Sequence, residues 1–159
     1  MDLKLKGKRV LVTGGSKGIG RAVADEFAAE GANVSVCARN AQEVASTVVA
    51  LKAKGVQAFG QALDVSDSHM LTQWIKDSAA ELGGVDVLVC NVSALAVGDS
   101  PETWEKSFRI DMMHTVNAVA AAVPFLEKSP SASIVLISSV SGFEVDLSLI
   151  HISEPTRPY

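Results

Sequence analysis

The run Thr13-Gly14-Gly15-Ser16-Lys17-Gly18-Ile19-Gly20 constrains the fold of this chain more than any other segment. It follows the apolar stretch Val10-Leu11-Val12 and opens an alanine-rich helical stretch, Arg21 to Glu30. Strand, glycine turn and helix in that order bring backbone N–H groups and a helix N-terminus together, where a phosphate is received. Surface turns also use glycine, but here the spacing, the strand before and the helix after agree on a dinucleotide-binding turn. The run lacks Gly-Lys-Ser/Thr at the offset of a Walker A loop, which excludes that alternative.

The rest of the chain repeats the alternation. Arg9–Thr13, Asn33–Cys37, Gln57–Ala62, Asp86–Cys90 and Ser133–Ser138 read as strands. Gly18–Glu30, Ala41–Lys54, Ser66–Leu82 and Pro101–Leu126 read as helices, the third with Ser66 or Asp67 as N-cap and the last with Pro101 in its first turn. Successive βα units demand parallel pairing with right-handed crossovers. The strands are almost wholly apolar, as in a sheet covered on both faces. The expected fold is α/β, a Rossmann-like doubly wound parallel sheet in the order 3-2-1-4-5, with ligands at the carboxyl ends of its strands. No internal repeat or low-complexity segment interrupts it.

The 159 residues suit one domain. A formal charge of −4 gives no reason to expect nucleic acid or an anionic membrane as partner. The start, Met1 to Arg9, has no apolar signal core, and no apolar run approaches the ~20 residues of a membrane helix, so a cytoplasmic location is expected. Cys37 and Cys90 end strand-like runs and read as buried thiols, not as a disulfide or metal site; no metal is expected. Trp74 and Trp104 fit helix packing, and His69 reads as a surface or capping residue.

The spacing Gly-x-x-x-Gly-x-Gly after Thr13 closely resembles the short-chain dehydrogenase/reductase family, with further motifs in order from residue 7 to 146. The resemblance implies that Gly14, Gly18 and Gly20 form the turn beneath a pyrophosphate, with Gly15 and Ile19 in the same run and Ser16 and Lys17 on its outer side. After the second strand stand Ala38 and Arg39, where an acidic residue would hold the ribose hydroxyls of NAD. Arg39 can fork onto a 2′-phosphate and Lys17 adds a second positive charge, so NADP(H) is favoured over NAD(H). Asp64-Val65 matches the pair that lies against the adenine; an N-cap role for Asp64 is the alternative. Cys90-Asn91-Val92-Ser93 stands in place of the family's Asn-Asn-Ala-Gly, and Asn91 matches its second Asn.

On the catalytic side, Ser139 matches the serine that holds the substrate oxygen, two residues before Ser141-Gly142. Asp111 stands where the family has an Asn that orders a relay water; it can accept a hydrogen bond but lacks the amide donor, so its role is an altered relay or structural. The family's proton donor is a Tyr followed four residues later by Lys. No Tyr-x-x-x-Lys occurs in the chain: Tyr159 is the only tyrosine, and no Lys follows Lys128.

The tail Leu147-Ser148-Leu149-Ile150-His151-Ile152-Ser153-Glu154-Pro155-Thr156-Arg157 resembles the in-frame translation of a transposase-library adapter. Residues 1–146 are therefore expected to be an incomplete NAD(P)-binding domain, truncated before the last family strands, and residues 147–159 a non-native tail. His151 carries no role on that reading.

The resemblance implies an NADP(H)-dependent oxidoreductase interconverting a ketone and a secondary alcohol, a 3-oxoacyl thioester being one candidate. The 159-residue chain is expected to be inactive, poorly soluble and open at its fifth strand; the complete parent is expected to form a homo-oligomer. A non-catalytic dinucleotide-binding module or inactive subunit is the competing reading. A hydrolase triad of Asp111, His114 and Ser139 is disfavoured: the first two are close together on one helix, and no Gly-x-Ser-x-Gly elbow is present.

Overall fold

A computed structural model describes residues 3–96 and 98–139. Five parallel strands, β1 (Arg9–Thr13), β2 (Asn33–Ala38), β3 (Ala58–Ala62), β4 (Val87–Cys90) and β5 (Ser133–Leu136), form one sheet in the order β3-β2-β1-β4-β5. The expected topology is therefore the observed one. Its switch point lies between β1 and β4, where Val10, Leu11 and Val12 pair with Val87, Leu88 and Val89. The tail from residue 147 lies outside the described residues, as do Ser141 and Gly142.

Alternation along the strands builds two cores. Val10, Val12, Val34, Val36, Val87 and Val89 pack on one face against α1 (Gly18–Ala29) and α2 (Ala41–Lys52) through Ala24, Ala28, Val44 and Leu51. Leu11, Cys37, Leu88 and Cys90 face the other side, meeting Leu71, Trp74 and Ile75 of α3 (Ser68–Leu82) and Ala118, Ala122 and Leu126 of α5 (His114–Leu126). Ser35 is a polar residue in this second core. Trp74 Nε1–H donates to its hydroxyl at 3.1 Å, and Ser78 shares a 2.7 Å hydrogen bond with it, so the three polar groups satisfy one another.

Local chemistry sets the boundaries. Asp67 caps α3, accepting from the N–H groups of His69 and Met70, as one of the two expected caps does. The second helix ends at Lys52, two residues early, where the N–H groups of Lys54 and Gly55 turn back onto Leu51 and Lys52 and Gly55 adopts φ +85°. The backbone N–H of Gln57 is taken by Asn33 Oδ1, and β3 begins one residue later.

The long helix expected over Pro101–Leu126 is not uniform. Pro101 does open it, but α4 (Pro101–Ser107) passes into a π-helical turn, Phe108–Met113, before α5 resumes. The His114 N–H reaches Arg109 carbonyl, five residues back. The His114 ring bonds the Ile110 carbonyl and the Thr115 hydroxyl the Asp111 carbonyl, so side chains hold the widened turn. Trp104, expected to pack, is instead 68% exposed, because α4 lies outside both cores. No described helix is long and apolar enough to cross a membrane. The edge strand β5 is exposed along its whole length.

Candidate functional site

The glycine turn leaves β1 at the carboxyl edge of the sheet. Its first two residues fold onto β2: the N–H groups of Gly14 and Gly15 both donate to the Cys37 carbonyl, at 2.8 and 3.2 Å. Gly14 has φ +67°. A β-carbon on Gly15 would stand 2.6 Å from Val36, and one on Gly20 would stand 2.4 Å from the Gly14 carbonyl oxygen. Glycine here lets α1 enter close beneath the turn. Gly18 differs, with φ +57° and open space around the missing β-carbon.

The start of α1 is chemically distinct. Asn40, Asp67 and Ser100 cap α2, α3 and α4 with side-chain oxygens. Lys17, at the N-cap of α1, makes no such bond. The helix that follows the glycine turn thus begins with backbone donors that no side-chain cap satisfies, the condition that favours an anionic ligand.

A cavity of about 400 Å³ opens beside this turn. Gly14, Ser16, Lys17, Arg39, Asp64, Val65 and Asn91 line it, which brings together residues from the ends of four strands. Thr13, Gly15, Gly18, Ile19 and Gly20 shape the turn without lining the cavity. Ile19 is exposed. Asp111 and Ser139 are not in the cavity wall either; Ser139 lies past the carboxyl end of β5. Ser16, which the family resemblance puts on the outer side of the turn, is buried, and its hydroxyl donates to Glu43 Oε2 at 3.0 Å.

Asp64 does not cap α3. Its Oδ1 accepts the Ser66 N–H at 2.9 Å. That bond, aided by the Ser66 hydroxyl, Arg39 and Arg109, holds the carboxyl below its usual range against the opposing effect of burial. Cavity-lining charges are otherwise mixed: Lys17, Arg39 and Lys106 against Glu43 and Asp64.

Asn91 supports the turn from below. Its Nδ2 donates to the carbonyls of Thr13 and Gly14, at 3.3 and 3.4 Å, and its backbone N–H donates to Thr13 Oγ1 at 3.0 Å. The fully buried His114 meets the same hydroxyl. In the sequence His114 stands out only as a member of the disfavoured hydrolase triad; its position three residues after Asp111 gives no sign that it reaches Thr13. Asp111 receives the Ala94 N–H on Oδ1 at 2.6 Å, so the acceptor that Asp shares with Asn is used to hold the loop after β4.

A strand–turn–helix with an uncapped helix start, at the switch point of a 3-2-1-4-5 sheet, is the setting in which known proteins hold dinucleotides. Residues 8–150 match the short chain dehydrogenase family. Isoepoxydon dehydrogenase of Penicillium expansum is 43% identical over 145 residues, which are 88% of this chain and 55% of that protein. A short chain dehydrogenase from Burkholderia cenocepacia, in complex with NADP, superposes with a TM-score of 0.85 at 29% identity, over 91% of this chain and 60% of that one. One from Mycobacterium paratuberculosis, bound to NAD, gives 0.83 at 28% identity, over 93% and 61%. The chain thus spans just over half the length of these three proteins. With the glycine turn, the strand order and these matches in agreement, the chain belongs to the short-chain dehydrogenase/reductase family of oxidoreductases.

Proposed function

We propose that this chain holds NADP(H) in the cavity beside the glycine turn, as the cofactor half of an oxidoreductase that interconverts a ketone and a secondary alcohol. The observation that carries the reading is the uncapped start of α1 next to a cavity lined by Lys17 and Arg39. The turn at Gly14 and the N-terminus of α1 receive the pyrophosphate. Arg39 and Lys17 receive the 2′-phosphate, Arg39 through its planar fork. Asp64 and Val65 border the adenine, and Asn91 fixes the floor of the turn through the Thr13 and Gly14 carbonyls. When bound, the nicotinamide supplies or accepts the hydride.

Ser139 is the residue of this chain assigned to hold the carbonyl or alcohol oxygen. Asp111 acts by fixing the loop after β4 through Ala94. Proton transfer to that oxygen needs a donor of suitable acidity. The absence of Tyr-x-x-x-Lys from these 159 residues supports binding without turnover by this chain. The exposed Trp104, Phe108, Met112 and Val116, spaced along α4 to α5, support assembly of the longer protein into a homo-oligomer.

Titration of NADPH and NADH fluorescence with the purified chain tests this. NADPH binding that weakens about tenfold in Arg39→Ala, with NADH changed less than about twofold, is expected. Absence of binding by the unsubstituted chain would sink the proposal. The competing reading, a binding module whose parent has no enzymatic role, is separated by turnover: ketone-dependent NADPH oxidation by the complete parent, lost on Ser139→Ala, excludes it.

A further inference from the structure

Glu43 is a carboxylate in a wall otherwise suited to phosphate. It lies in the first turn of α2, is half-buried, and shares the cavity with Arg39 and Lys17. The Ser16 hydroxyl donates to its Oε2 at 3.0 Å, which ties it to the glycine turn across 27 residues of sequence. Two of the backbone donors at the start of α2 are already taken. Asn40 Oδ1 accepts the N–H groups of Gln42 and Glu43, at 3.0 and 3.2 Å. A 2′-phosphate received by Arg39 and Lys17 would therefore share the cavity with the Glu43 carboxylate.

A carboxylate and a phosphate are both acceptors and both negative, so they repel; a ribose hydroxyl can donate to the same carboxylate. We infer that Glu43 is a specificity-determining residue that works against Arg39, weakening the hold on a 2′-phosphate and keeping NADH competitive with NADPH. This rests on the dinucleotide reading of the cavity and adds to it which nucleotide is admitted. Arg39 and Lys17 favour the phosphorylated cofactor, and Glu43 lessens that preference without reversing it.

Glu43→Gln isolates the charge, because the amide oxygen can still accept the Ser16 hydroxyl. Dissociation constants of NADPH and NADH are measured by fluorescence titration of the full chain, and those of adenosine 2′,5′-bisphosphate and ADP by calorimetry. The ratio of NADPH to NADH affinity should rise about fivefold in Glu43→Gln, mainly through tighter NADPH, and the bisphosphate should gain over ADP by a similar factor. The gain should shrink in 0.5 M salt, which screens partly exposed charges. Glu43→Ala should move both ratios in the same direction and serves as the second variant. Binding with unmoved ratios would overturn the inference alone. Failure of the unsubstituted chain to bind either dinucleotide would overturn the cofactor reading, and this inference with it.

Discussion

His114 Nε2 lies 3.0 Å from Thr13 Oγ1, joining the π-helical turn to the residue that begins the glycine turn, 101 positions away in sequence. The partners assign the protons. The Ile110 carbonyl can only accept, so His114 Nδ1 carries the hydrogen, at 3.1 Å. With the ring neutral, Nε2 accepts the Thr13 hydroxyl proton, for which the Val89 carbonyl at 3.4 Å is the second acceptor, while Thr13 Oγ1 accepts the Asn91 N–H. One buried chain of hydrogen bonds thereby links α5, β1 and the loop after β4 beneath the candidate cofactor site.

The neutral ring gives the first prediction. Burial pushes the His114 pKa below its ordinary value, although the Ile110 carbonyl and Asp111 both pull it upward. A histidine whose folded pKa is depressed contributes stability that is whole above about pH 6.5 and is lost as pH falls through the folded value. Urea unfolding followed from pH 7.5 to pH 5 should show this loss, and His114→Gln should remove part of it while costing about 2 kcal/mol at pH 7.5. Parallel pH curves for the two proteins would contradict the assignment.

Gly20→Ala tests the turn. The added methyl would stand 2.4 Å from the Gly14 carbonyl oxygen and 2.5 Å from Asn91 Nδ2. Backbone must move, since neither the carbonyl nor the twice-bonded amide can yield cheaply. The expected cost is about 1–3 kcal/mol, as for overpacking elsewhere, with at least a tenfold loss of NADPH affinity on the cofactor reading. Gly18→Ala has open space but φ +57°, so its cost is backbone strain of about 1 kcal/mol. If Gly20→Ala were the milder of the two in thermal denaturation, the packing account of this turn would fail.

The central strands were legible because both sheet faces are covered there, so β1 and β4 read as mainly apolar runs whose ends needed little correction. Asp67 was legible as a cap because its chemistry is local. The π turn was not, since it depends on the His114 ring and Thr115 hydroxyl taking carbonyls that an ordinary helix would use, and a hydrophobic period does not register that. Trp104 failed for a related reason: an apolar side chain on a helix says nothing of whether another element covers it. The glycine turn and Arg39 could be found by spacing. Glu43 and His114 could not, because each reaches the turn from another element, and no short-range pattern marks such a contact.

The two thiols should be silent in the folded protein. Desolvation pushes Cys90 up to about 11, and Cys37, wholly buried, is pushed well above the ordinary thiol range even though the Gly14 N–H acts in the opposite direction. Only the thiolate reacts at a useful rate. A disulfide-exchange reagent at pH 8 should therefore find no fast thiol in the native chain and both in denaturant. One fast native thiol would show that the carboxyl end of β2 or β4 opens more readily than its packing implies.

Asp86 anchors the opposite edge of the sheet. Its Oδ2 accepts the Arg9 backbone N–H and Nε, at 2.9 and 2.8 Å, and its Oδ1 accepts Arg9 Nη2 at 2.8 Å and the Ser129 hydroxyl at 2.5 Å. The carboxylate thus ties the start of β1 to the segment entering β5, with a side chain only 5% exposed. The Arg9 side chain, then Ser129 and the Arg9 N–H, hold its carboxyl far below the usual range, outweighing burial. A carboxylate with a depressed folded pKa gives stability that is whole above its unfolded value, about 3.9, and is lost as pH falls through the folded value. Asp86→Asn should therefore cost about 2–4 kcal/mol at pH 7, because Arg9 loses its partner in a partly buried pair. The gap between the two proteins should begin to close only below about pH 4, where the unfolded carboxyl of the parent protonates. A gap that closed between pH 7 and 5 would mean that a different group titrates, and that the Arg9–Asp86 pair is not what secures this edge.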